Sequence, residues 1–125
     1  MLEPVRTAMV ALQRALGAQY GQVPGLVVEG RDIGTVVFPD AAVKVFLTAS
    51  IDTRARRRHE QLKAAGRAVG LAEVRQSIIL RDRQDAERRL SPLRQAEDAL
   101  VVETDDCSVQ EQVQKVVARV REQTR

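Results

Sequence analysis

Leu26-Val27-Val28-Glu29-Gly30-Arg31-Asp32-Ile33-Gly34 is the stretch on which the fold turns. Its three leading apolar residues read as a short buried strand, and the two glycines allow a tight turn or a close approach of backbone to a ligand. Between the glycines stand a planar cation and a carboxylate, at the point where a strand would leave a sheet. In open α/β sheets ligands bind at such carboxyl ends. Further along, Arg81, Asp85 and Arg88 fall at i, i+4 and i+7 and so share one face of a helix. Arginine suits phosphate oxygens and aspartate suits hydroxyl or amino groups. Two such clusters point to a polyanionic ligand that also carries hydrogen-bond donors, and a phosphorylated nucleoside fits that description.

The rest of the composition narrows the class. A chain of 125 residues with 44% hydrophobic and 30% charged residues is one soluble domain's worth, long enough for a core. Its apolar stretches fall far short of the roughly 20 residues that span a bilayer, and no charged-then-apolar leader opens it, so a cytoplasmic protein without membrane contact is expected. Cys107 is the only cysteine, which argues against a disulfide framework, a thiolate cluster or a structural metal. The formal net charge is only +3, but 17 of the 20 basic residues are arginine and eleven of these lie from Arg54 to Arg94, against five acidic residues. That bias suits anion recognition. With two Phe, one Tyr and no Trp there is little surface for base stacking, and no zinc-finger or RNP-type pattern occurs, so no nucleic acid is expected as partner.

Val5, Met9, Leu12 and Leu16 recur at helical spacing from Glu3 to about Tyr20, before Gly21 and Pro24. After the Gly30 to Gly34 turn come Val36 to Phe38, a Pro39-Asp40 turn and the clearest strand, Val43 to Leu47. Ser50 or Asp52 caps a helix that runs to about Ala65 and stops at Gly66. A charge-rich helix runs from Leu71 to about Arg89, ahead of Ser91-Pro92. Leu100 to Val102 reads as a strand. Ser108 with Glu111 forms a capping box for a last helix striped by Val109, Val113, Val116, Val117 and Val120. Strands alternating with helices argue α/β with a parallel sheet flanked by helices.

Pro24-Gly25-Leu26-Val27-Val28-Glu29-Gly30-Arg31-Asp32-Ile33-Gly34-Thr35-Val36-Val37-Phe38-Pro39-Asp40-Ala41, the following strand, Arg54-Ala55-Arg56-Arg57-Arg58, and Arg81, Asp85 and Arg88 ahead of Pro92-Leu93 together resemble bacterial cytidylate kinases, over nearly the whole chain. The resemblance is to the C-terminal portion of that family. It implies a P-loop nucleoside-monophosphate-kinase-like sheet and transfer of the ATP γ-phosphate to CMP or dCMP, giving CDP or dCDP, with magnesium. It divides the chain into a partial core with the acceptor-nucleotide site (1–65), a mobile lid (66–92) and a C-terminal strand and helix (93–125). It implies that Arg6 and Asp32 read cytosine, that Arg31, Arg81 and Arg88 bind the acceptor or transferring phosphates and act in catalysis, and that Asp85 lies near the sugar. Arg57 or Arg58 matches a lid arginine near ATP.

No G-x-x-x-x-G-K-[ST] occurs, and none of Lys44, Lys63 and Lys115 follows a glycine. The sheet should be incomplete, lacking its central P-loop strand, and the isolated chain should be inactive. Magnesium with ATP should belong to the complete enzyme, with none held by this chain alone. Self-association, or a partner chain that supplies the missing strand, should cover the open edges. The alternative is a non-catalytic nucleotide-binding or protein-interaction module derived from this fold.

Overall fold

A single proline begins the first element. Pro4, in the first turn where its missing N–H costs nothing, and Glu3, whose charge suits a helix N-terminus, open α1 (Glu3–Tyr20) in the computed structural model, which describes residues 2–22, 25–87 and 94–123. Near its end Gly17 leaves room for the Phe38 ring at the place a Cβ would occupy, so α1 lies directly on the segment after the Gly30 turn. That segment, Ile33–Val37, is one wide π-helical turn closed by the bond from Phe38 N to Ile33 O at 2.7 Å. Arg14 of α1 caps it, donating to the carbonyls of Val36 at 2.7 Å and Val37 at 3.0 Å. Such turns are scarce and recur at functional sites.

β1 (Val45–Thr48) and β2 (Leu100–Glu103) pair in parallel, with Val45 opposite Leu100 and Thr48 opposite Glu103. Parallel strands need a crossover, which here is α2 (Ile51–Ala64) followed by α3 (Leu71–Ala86). Ser50 caps α2, its Oγ accepting from Thr53 N at 3.2 Å, and Asp105 beyond β2 accepts from Ser50 N at 2.7 Å. α4 (Val109–Gln123) closes the chain, and its capping box forms as read: Ser108 Oγ accepts from Glu111 N at 3.1 Å and Glu111 accepts from Ser108 N at 2.8 Å.

The core is small and central. Val37 of the π turn, Ala55 of α2, Val74 of α3 and Val102 of β2 are buried, each drawn from a different element. Burying a valine is worth about 1.5–3 kcal/mol, so three valines and an alanine make a modest apolar contribution to stability.

One strand of the sequence reading is corrected. Leu26, Val27 and Val28 form no strand; they join no ladder and are exposed, Val27 almost fully so. An apolar run becomes a strand only when a neighbour offers a ladder, and β1 pairs instead with β2.

Candidate functional site

Arg31 leaves the Gly30 turn toward α3, where its Nη1 donates to Asp85 Oδ1 at 2.6 Å. The Asp85 side chain is 7% exposed and that of Arg31 35%. A carboxylate buried to that degree requires a cation, and Arg31 supplies it while still lining the adjoining cleft. Asp32, the next residue, turns the other way: Arg6 Nη1 of α1 lies 3.6 Å from its Oδ2, with both side chains largely shielded. Adjacent residues of opposite charge thus tie one turn to two helices.

α2, α3 and Arg31 enclose a cleft of about 580 Å³, within the usual size range for small-molecule sites. Arg31, Arg54 and Arg58, Arg67 from the α2–α3 connection, and Arg81 line it, against Glu73, Asp82 and Asp85. Leu62, Val69, Val74 and Ile78 supply an apolar wall. More guanidiniums than carboxylates in one concavity focus positive potential, which attracts anions. Arg54 is not a loose cation: it holds Asp82 with two bonds, Nη1 to Oδ1 at 2.9 Å and Nη2 to Oδ2 at 2.5 Å. That hydrogen bonding holds the Arg54 guanidinium above its ordinary pKa, against the lowering effect of partial burial. Arg75 of α3 adds a second tie, donating to Asp52 at 2.8 Å.

The residues singled out in the sequence divide between places. Arg31, Arg81 and Asp85 meet in the cleft, joined by Arg58. Arg6 and Asp32 pair at the α1 side of the same turn. Arg57 points away, donating to Thr104 Oγ1 at 2.9 Å and Thr104 O at 2.8 Å at the end of β2. Arg88 and the end of the expected lid, 88–92, lie outside the described residues. Asp85 takes a hydrogen bond from Arg31, 54 positions distant in the chain, where helical spacing had offered Arg81. Arg14, Arg54, Arg67 and Asp82 were not anticipated. Only the density of arginine from Arg54 onward hinted at Arg54 and Arg67, and nothing local marked Asp82 or Arg14.

Among the described residues no group of three His, Cys, Asp or Glu side chains could hold a metal ion. Among them, too, no helix is long and apolar enough to cross a membrane.

A family model described as cytidylate kinase matches residues 1–122. The cytidylate kinase of Salinibacter ruber is 53% identical over 123 residues, covering 98% of this chain and 54% of that protein. That of Methylococcus capsulatus is 50% identical over 117 residues, covering 94% and 51%, and that of Stutzerimonas stutzeri 47% over 119 residues, covering 95% and 50%. The chain spans about half the length of the curated relatives it matches. These matches correct the expectation of a C-terminal portion with an incomplete fold and no activity in isolation: similarity runs through residues 1–122 and leaves almost none of the chain outside the family's description, while the motif G-x-x-x-x-G-K-[ST] stays absent from the sequence.

Proposed function

The chain belongs to the cytidylate kinase family, and on that premise we propose that it binds CMP or dCMP and serves transfer of the ATP γ-phosphoryl group to it. The observation that carries this reading is the convergence of Arg31, Arg58, Arg81 and Asp85, from three separate segments, on one cationic cleft. Planar guanidiniums bind phosphate oxygens through paired N–H donors. Arg31 and Arg81, with Arg88, are assigned to the acceptor and transferring phosphates, Arg58 or Arg57 to ATP, and Asp85 to the sugar. Of the two lid candidates, the position of Arg58 in the cleft favours Arg58, while Arg57 is engaged with Thr104.

Arg6 and Asp32 are assigned to the base. The exocyclic amine of cytosine donates to a carboxylate, whereas uracil presents a carbonyl there and sets oxygen against oxygen. In the transfer, the bond from the γ-phosphorus to its bridging oxygen breaks, a bond to a CMP phosphate oxygen forms, and ADP leaves. Such reactions depend on positioning and on neutralising charge over the phosphoryl oxygens, which is work for fixed guanidiniums. Magnesium accompanies ATP in this chemistry. The described carboxylates offer it no cluster, so no step is assigned to a protein-held metal. Residues 66–92 are assigned as the lid over the bound phosphates.

Calorimetric titration of the chain with CMP and, separately, UMP tests the reading. CMP should bind at least ~10-fold more tightly, about 1.4 kcal/mol, and any release of ADP from magnesium–ATP should depend on CMP. Equal affinities, or no heat with millimolar CMP, would overturn it.

A further inference from the structure

α2 and α3 lie against each other with few side chains fully buried: Thr53 and Ala55 in α2, Val74 and Asp85 in α3. Polar ties also hold their relative placement, and of these the bidentate Arg54–Asp82 pair is the most constrained. All three guanidinium nitrogens of Arg54 are engaged, since Nε also donates to Ala49 O at 3.2 Å, in the loop after β1. Arg54 is thereby anchored to the sheet end and to α3 at once. It sits one turn before Arg58 on α2. Asp82 sits beside Arg81 and three residues before Asp85, the partner of Arg31.

We propose that Arg54 and Asp82 are positioning residues, a strut that sets α3 against α2 so that Arg58, Arg81 and the Arg31–Asp85 pair face one ligand at a fixed spacing. The inference rests on the phosphate-binding reading above. It assigns neither residue a contact with ligand. A planar fork on a carboxylate resists rotation as well as separation, and small displacements of binding groups spoil a multi-point site. The pair is partly exposed, so its value lies in geometry more than in stability.

The test exploits a difference in sign. Asp82→Asn removes a negative charge from a cationic cleft, and electrostatics alone would tighten anion binding. A strut requires the opposite. Calorimetric titration of the full chain with CMP and with inorganic pyrophosphate should give affinities weakened about 3- to 10-fold in Asp82→Asn and about 3-fold in Arg54→Lys, which keeps charge but loses the fork. Asp82→Glu, which keeps the carboxylate but adds a methylene to its reach, should bind more tightly than Asp82→Asn and less tightly than the parent, at closely similar melting temperatures. Unchanged or tighter binding in Asp82→Asn would overturn the strut. If the parent chain binds neither probe, the phosphate reading itself has failed, and amide exchange decides the strut. Faster exchange across residues 71–86 in Asp82→Asn, reversed in Asp82→Glu, supports it, and unchanged exchange overturns it.

Discussion

Helices α3 and α4 are nearly equal in length, 16 and 15 residues, and are seated by different means. α4 carries the better apolar stripe, yet Val109, Val113, Val117 and Val120 are all exposed and the helix buries no residue. α3 has weaker apolar patterning, yet it buries Val74 and Asp85 and is tied twice to α2, through Asp82 and Arg75, and once to the Gly30 turn, through Asp85. Charge pairing, more than apolar segregation, decides which helix is drawn in. A helix that invests its best-placed side chains in ion pairs gains little net stability, because desolvation offsets much of the attraction. What it gains is a fixed array of charges beside a cleft.

Asp85→Ala is the substitution expected to do most. It removes a buried acceptor of an Arg31 hydrogen bond, and loss of such a charged bond should lower unfolding free energy by about 1–3 kcal/mol, toward the lower end because Arg31 can regain water. Urea denaturation reads this directly. No loss of stability would mean that pairing with Arg31 does not seat α3.

On α4, Ser108→Ala removes one half of the capping box and should cost about 1 kcal/mol. The same region gives a pH signature. The Ser108 N–H holds the Glu111 carboxyl below the ordinary carboxylate range, and the Ser50 N–H does the same for Asp105 at the start of α2. A depressed folded-state pKa contributes stability that is present above the unfolded value, near 4, and is lost as pH falls through the folded one. Helicity followed by circular dichroism should therefore decline below about pH 4, less in Ser108→Ala with Glu111→Gln than in the parent. A decline already complete at pH 6 would point to other groups.

The smallest effect is expected on the α4 stripe. Val113→Lys changes an exposed residue and should alter stability by no more than about 0.5 kcal/mol. A loss above about 2 kcal/mol would mean that the stripe is covered in solution, and the contrast with α3 would weaken.

Legibility in the sequence followed the range of the interactions. Helices α1, α2 and α4 were readable from spacing and caps, because their signals lie within a few residues: Ser50 with Thr53, and Ser108 with Glu111. β1 and β2 were readable from short apolar runs, but so, wrongly, was the run at Leu26, because a strand's partner is not written in the strand itself. The π turn was missed, since its i+5 bonds have no residue signature. At the site, the residue types and the Gly30 turn stood out. The pairings did not: Arg31 finds Asp85 across 54 positions and Arg54 finds Asp82 across 28, distances set by the crossover from β1 to β2.

Hydrogen exchange with and without saturating CMP tests most directly the claim that the charges of α3 serve a ligand and the apolar stripe of α4 does not. Protection should rise in residues 31–37 and 71–86 while exchange in residues 109–123 stays as it was. Equal change in both helices, or a rise confined to α4, would contradict the account.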